Sequence, residues 1–386
     1  MTKSKCQKLV GRHIFEYLKS KWHFSQLCSY RAHIGFVAWL GFRECYEPIL
    51  VIMRITFRPR LIMPQKHRVR NWKAYNKALR KRGDLFLYFN EDSLTKWHFS
   101  GNRRPGGKLV YSDHAIELML SIKNVLRLPL RQAQGFVDSV LKRLGFNITA
   151  PDYSTICRRA KTLALRVKCF GRIDREKPLH LLIDSTGLSV YSGTYFHLTR
   201  YQGHRLARKS KSWRKLHIAY DLSSAQIVSA ALSEARLQDS EPVARLMNIP
   251  GRKIESLRAD RAYDKVRCYK AAHDFGVKPI IPPCRNARLQ KENRNLKNTQ
   301  CLQSRDAAIT FIRQYPSYDE GVKAWKIAQG YHQRSKVEAL MHRFKKKFGY
   351  SLQSKTFENM TTEVITKINI LNVQRSLGGA EFELIT

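Results

Sequence analysis

The sequence predicts a mixed α/β fold, with an open sheet of strands and helices preceded by a helical region. Three observations carry that expectation. From Asp113 onward, apolar residues recur at three- and four-residue spacing, the period of an amphipathic helix. After Pro178, short apolar runs of strand length alternate with helix-length segments, the order expected of a mixed α/β sheet. The whole carries 71 Lys+Arg against 30 Asp+Glu in 386 residues, a formal net charge of +41, with 43% hydrophobic residues. So many apolar residues exclude a disordered basic tail.

Taken in order, residues 1–62 are aromatic, basic and without sustained period. Met63-Pro64-Gln65-Lys66 follows, and Met63 is expected to be the true start, with an irregular N-terminal arm as the alternative. Ala115, Ile116, Leu118, Met119 and Ile122 mark a first helix; Arg131–Leu144 gives a second, stopped by Gly145. A third opens at Asp152 or Ser154 and is rich in Ser, Thr and Arg. Three such helices suit either a helix-turn-helix reader of DNA or an ordinary helical subdomain.

Leu179–Asp184 then reads as a buried strand ending in a carboxylate, and Leu216–Asp221 with Ile227–Leu232 as a hairpin. A helix at Ser240–Met247 leads to the strand Ile254–Ala259, which delivers Asp260 at its end. A helix over 265–273 and the strand Lys278–Ile281 follow, then a polar loop over 284–305.

A globular chain this basic gathers polyanions, because each phosphate contact releases a condensed counterion. Nucleic acid is therefore the expected partner, and small neutral metabolites are poor candidates. The eight cysteines contain no C-x-x-C pair, which argues against zinc-finger and disulfide frameworks and for reduced thiols in a cytoplasm. The apolar stretch from Gly35 to Phe57 is interrupted by Arg43, Glu44, Glu47 and Arg54, short of the roughly 20 apolar residues a membrane span needs.

The chemistry concentrates near the C-terminus. A single helix is expected from about Glu320 to Phe348, carrying Tyr331, Arg334, Glu338 and Lys345. At about 100° per residue these four fall within about 60° of one another. Val337, Leu340, Phe344 and Phe348 form a neighbouring stripe that can dock on a sheet. Asp184, Asp260 and Glu338 would then converge, and three carboxylates suit a hard divalent cation such as Mg²⁺. Two such ions about 4 Å apart serve in-line attack on a phosphodiester.

Leu181–Leu188, Trp213-Arg214-Lys215-Leu216-His217 and Ala259–Asp264 resemble segments of bacterial insertion-sequence DDE transposases. Tyr331-x2-Arg334-x3-Glu338-x6-Lys345 resembles the Tyr-Arg-Glu-Lys signature of the insertion sequence 4 and 5 groups. The stretch from Asn71 to Gly83 resembles the start of insertion sequence 5 members. The resemblance implies a ribonuclease-H-like core whose triad, which also binds two Mg²⁺ (or Mn²⁺), is Asp184, Asp260 and Glu338. It implies phosphate contacts from Arg334 and Lys345, with Tyr331 lining the same site, and a homodimer joining two inverted-repeat ends. Arg261-Ala262 departs from the pattern, since many relatives carry a Gly beside the second Asp.

The domain division expected is 1–62 as an extension, 63–170 as a helical DNA-binding domain, 178–350 as the catalytic domain and 351–386 as a C-terminal helical segment. Arg214 and Lys215 close a basic run from His204 that reads as a DNA-contacting or a solvated loop. Asp264 reads as a helix N-cap, His217 as either substrate-facing or buried, and Trp72 and Trp97 as packing residues. The rival functions are a catalytically inactive DNA-binding relic and a nuclease with the same core.

Overall fold

The computed structural model describes residues 67–84, 87–89, 94–102, 109–171, 174, 176–190, 213–292 and 300–384. The extension 1–62 and most of the basic run from His204 lie outside the described residues. Residues 70–381 form one compact unit, and residues 1–69 with 382–386 form a second. The described part of the second is an antiparallel ribbon, His67–Val69 with Phe382–Leu384, carrying an Arg68–Glu383 ion pair.

The larger unit opens with helix α1 (Trp72–Lys81) and a packed trio, α2 (Asp113–Leu126), α3 (Leu130–Arg143) and α4 (Tyr153–Thr162). Each start and stop has a local cause. Ser112 Oγ accepts the Ala115 N–H at 3.2 Å to cap α2, and Asp152 accepts the Ser154 N–H at 2.8 Å to cap α4. Gly145, at φ 77°, ends α3, where the Phe146 N–H reaches back to the Leu141 carbonyl. Ile116, Met119, Val137, Leu141 and Ile156 are buried together with Trp97, each contributing about 1.5–3 kcal/mol. Trp72, expected to pack, is instead 58% exposed.

Among the described residues the central sheet has six strands, five of them in one path: β1 (Leu179–Val190), β2 (Trp213–Asp221), β3 (Ile227–Glu234), β4 (Ile254–Arg258) and β5 (Lys278–Ile280). Their order is β3-β2-β1-β4-β5. β1 runs antiparallel to β2 and β2 to β3, while β4 is parallel to β1 and β5 to β4. This mixed order fits the ribonuclease-H-like core that the resemblance implies. A short strand β6 (Ser351–Leu352) pairs with the far end of β1.

Helices cover both faces. On one, Leu181 and Ile183 pack with residues of α5 (Val243–Met247) and α6 (Val266–Asp274). The remaining helices are α7 (Gln303–Arg313), α8 (Tyr318–Ala328), α9 (Ser335–Phe348) and α10 (Phe357–Ser376). On the second face, Leu182 and Leu188 pack with Val337, Leu340 and Phe344 of α9 and Val364 and Ile368 of α10. Burial on both faces explains why β1 begins as a continuous apolar run instead of alternating. Helix α10 packs against α2 and α4 as well as β3. Its buried Asn369 and Asn372 bond the backbone of 166–168 and of Ile227.

Two expectations are corrected. The strand predicted to end at Asp184 runs on through Val190, because β2 supplies ladder partners as far as Ser189. Asp184 is therefore a mid-strand residue, laddered to Ile218 of β2. The single helix predicted over 320–348 is broken: α8 ends at Ala328, Gly330 turns left-handed at φ 58°, and Tyr331–Arg334 is a 3₁₀ turn before α9. Glycine adopts that conformation without the strain a side chain would bring.

Candidate active site

Three segments remote in sequence deliver the carboxylates. Asp184 sits in β1, opposite Ile218 of β2. Asp260 follows β4 and caps the 3₁₀ turn Arg261–Tyr263 by accepting the Ala262 N–H at 2.9 Å. The turn closes with Arg261-Ala262 following the acid. Glu338 lies in the first turn of α9, where the helix's positive end favours an acid. The apolar stripe of Val337, Leu340, Phe344 and Phe348 docks α9 on the sheet and so fixes that carboxylate's place.

All three meet one guanidinium. Arg334 Nη2 lies 3.5 Å from Asp184 and 3.8 Å from Asp260, and its Nη1 pairs with Glu338. Asp184 and Arg334 are largely buried, Asp260 and Glu338 more exposed. Burial pushes the Asp184 carboxyl above its ordinary value. Arg334 and the Ser185 N–H pull it back, and the like charges of Asp260 and Glu338 push it further up. Burial also works against the charge of Arg334, yet Asp184, Tyr331, Glu338 and Asp260 together hold its pKa above the ordinary value.

The other residues of the Tyr-Arg-Glu-Lys pattern are placed as follows. Tyr331 is buried, and its hydroxyl donates to the Ala259 carbonyl at 3.2 Å, fixing the residue that precedes Asp260. Its position on the 3₁₀ turn, before α9, is what directs it inward. Lys345 lies seven residues beyond Glu338 on nearly the same side of α9, about 10 Å along the helix. Burial lowers its pKa, and its ammonium lies 5.7 Å from the centre of the Tyr350 ring.

Lys215 donates to the Leu237 carbonyl at 2.8 Å and pairs with Asp239 at 3.0 Å, so it is engaged within the fold. Arg214 lies 5.9 Å from the Phe357 ring. His217 is fully buried, with Nε2 2.8 Å from Ser233 Oγ, and burial lowers its pKa to about 4. Of the two readings left open for it, the buried one holds. Asp264 is not an N-cap: that position belongs to Lys265, and the Asp264 carboxylate is buried against Arg305 Nε at 2.7 Å, the Cys284 N–H and Tyr269.

A sequence family described as the transposase DDE domain matches residues 175–373, and a second of the same description matches residues 80–193. The chain belongs to the DDE transposase family. Among solved structures, it is similar to a simian T-cell lymphotropic virus intasome in complex with PP2A regulatory subunit B56 gamma. That likeness has 15% identity over 49% of this chain and 59% of the other, at a TM-score of 0.19. It is also similar to a piggyBac transposase synaptic complex with hairpin DNA, at 9% identity over 78% of this chain and 75% of that one, TM-score 0.34. A Drosophila P element transposase strand transfer complex matches at 11% identity over 74% and 86%, TM-score 0.26. Membership rests on the matched sequence families.

DDE transposase domains generally use divalent metals, and the donors here suit them: three carboxylates, all hard oxygen. Among the described residues, however, no three His, Cys, Asp or Glu side chains are grouped closely enough to hold a metal ion. Each of the three carboxylates instead faces the Arg334 guanidinium. Sequence reasoning missed Tyr263, buried behind the acids, where burial and then Asp184, Asp239 and Asp260 raise its pKa. Its signal lay in the Ala259–Asp264 segment, which carries Tyr263 three residues after Asp260.

Proposed function

We propose that this transposase cleaves and joins DNA at the terminal inverted repeats of its own insertion sequence, by two-metal phosphodiester chemistry. The observation that carries the reading is the meeting of Asp184, Asp260 and Glu338, from three separate segments, on one cationic group in a chain of net charge +41. Acids gathered against such an excess of base need a reason, and binding cations beside a polyanionic substrate supplies one.

Asp184, Asp260 and Glu338 are the catalytic and metal-holding residues of this reading, with Mg²⁺ as the ion and Mn²⁺ as its substitute. When bound, a pair of such ions stabilises the attacking and leaving oxygens of the phosphodiester. The protein's own part is positional. The β1–β2 ladder fixes Asp184, Tyr331 holds the backbone before Asp260, and docked α9 sets Glu338. Arg334 offsets the mutual repulsion of the three acids. Its guanidinium, set among the three acids, is the group this reading places beside a phosphate of the cleaved end. Lys345, farther along the same side of α9, touches the next stretch of backbone. Arg214 and Lys215 border the DNA path at the start of β2.

The same reading assigns the chain to the insertion sequence 5 group, places DNA recognition in residues 63–170 and catalysis in 178–350, and expects a homodimer on paired ends in a bacterial cytoplasm. Among the described residues no helix is long and apolar enough to cross a membrane. Single Ala substitutions of Asp184, Asp260 and Glu338 are expected to lower end cleavage in Mg²⁺ by at least about a thousandfold, a loss of about 4 kcal/mol of transition-state stabilisation. Duplex affinity should stay within about threefold of wild type. Retained metal-dependent cleavage in any one variant removes that residue from the triad.

A further inference from the structure

The side of α9 turned away from Glu338 carries a second charged feature. A cavity of about 220 Å³ is lined by Arg82, Arg343, Lys346, Lys347 and Arg375, with no carboxylate in its wall. Arg82 follows α1, Arg375 closes α10, and the other three lie on α9, so three remote segments converge there. At about 100° per residue, Arg343 and Lys347 stand about 140° and 180° round α9 from Glu338, and Lys346, at about 80°, lies on the flank between. The cavity is thus a separate site and not an annex of the acidic one.

Its charge is uncompensated. Among the described residues none of the five cations forms an ion pair with a carboxylate. The Arg82 guanidinium gives one N–H to the Gly378 carbonyl at 2.6 Å, while its Nε is buried with no partner among the described residues. Burial lowers the pKa of Arg82; Tyr75, against whose ring the guanidinium lies at 5.9 Å, opposes the effect, and Arg375 and Arg343 add to it. Burial likewise lowers Lys347, with Arg127 and Arg82 adding to it. Arg127 is a sixth cation nearby. It donates to the Lys347 carbonyl at 2.7 Å and to that of Lys346 at 2.8 Å, tying down the end of α9. A solvated basic face would spread such charges apart; here like charges line one concavity, with Arg82, Lys347 and Arg375 half-buried, which destabilises the empty fold.

A ligand that repays this must be a multiply charged anion, and forked arginines beside lysines match phosphate oxygens. Arg343 and Lys346 are exposed at the mouth, which suits a chain of phosphates passing across the opening better than one sealed inside. We propose that this cleft is a second phosphate-binding site, which seats DNA backbone on the side of α9 away from the three carboxylates. It rests on the reading of DNA as substrate, and it adds a binding surface that the cleavage site does not require.

The test uses the full chain and a fluorescein-labelled duplex, followed by anisotropy across a salt series. In the double variant Arg343→Gln/Arg375→Gln, affinity is expected to fall about tenfold and the salt slope by about 2, since each lost phosphate contact removes about 0.9 from it. The double variant should melt no lower than wild type, because two mutually repelling charges are gone; if it fails to fold, Lys346→Gln/Lys347→Gln takes its place with the same expectation. Wild-type affinity and slope in the folded variant overturn the cleft and leave the cleavage site standing. A wild-type chain that binds no duplex overturns the DNA reading of both sites. Tripolyphosphate supplies the remaining arm: stabilisation of wild type lost in the variant, with duplex binding unchanged, makes the cleft a small-anion site and overturns the proposal.

Discussion

Helix α9 separates two concentrations of charge that are balanced in opposite ways. Toward β1, three carboxylates share one guanidinium, and that cation comes from the turn immediately before the helix. On the other side, five cations line a cleft with no acid among them. The acidic group is thus held together by the protein itself, while the basic one is left for something else to neutralise. The difference teaches how to read charge in a chain this basic. An unbalanced cluster of the majority sign is cheap to evolve and needs the evidence of convergence and burial. A cluster of the minority sign is informative on its own.

A scale for burial comes from His217, where burial is the largest cause of the shift, Asp239 opposes it and Lys215 adds to it. Its pKa falls from 6.5 to about 4 on folding. Above pH 6.5 the ring is neutral in both states and its stabilising share is complete. Between pH 6.5 and about 4 the unfolded chain takes up a proton that the folded one refuses, so that share is lost, by about 3 kcal/mol in all. Wild type minus His217→Gln, compared in denaturant melts over this range, should show the loss; a flat difference would mean the ring reaches water.

Arg334→Ala removes the internal counter-ion of the acidic side. Only Asp184 of the three acids is well buried, so the cost is discounted from that of a fully buried pair to about 2 kcal/mol. Mg²⁺ should raise the melting temperature of this variant more than that of wild type, since the ion then meets three acids with no resident cation. Equal shifts would break the contrast between the two sides of α9.

Tyr331→Phe should have the smallest effect. It loses the bond to the Ala259 carbonyl, about 1 kcal/mol of stability, and slackens the segment that carries Asp260. End cleavage should fall about tenfold, which is about 1.4 kcal/mol, with duplex affinity unchanged. A loss of affinity equal to the loss of rate would instead place the hydroxyl on DNA.

Much of the fold was legible in the sequence because local and global signals agreed. The helical period from Asp113, the Gly145 stop and the apolar runs at Leu179, Leu216, Ile227 and Ile254 each lie in the element expected. What escaped was decided by partners elsewhere. The extension of β1 through Ser185-Thr186-Gly187 depends on the ladder offered by β2, and those three residues break the apolar run that announces the strand. Gly330 carried the break before α9, but the Tyr-Arg-Glu-Lys spacing is equally consistent with an unbroken helix. At the site, the three acids could be named in advance, whereas the placement of Arg334 among them required the turn it sits on. The internal pairing of Lys215 with Asp239 and the convergence of Arg82, Arg343 and Arg375 depend on tertiary contacts that sequence spacing does not encode.

The central claim is that the acidic side of α9 carries both cutting and joining. Its most direct test is strand transfer by the full chain, given a labelled, pre-cleaved element end with a free 3′-hydroxyl and a target duplex in Mg²⁺ or Mn²⁺. Joined products that disappear in Glu338→Ala are the expected result. Hydrolysis of the target without joining would contradict the claim in favour of a nuclease, and duplex binding with neither reaction would mark a DNA-binding relic.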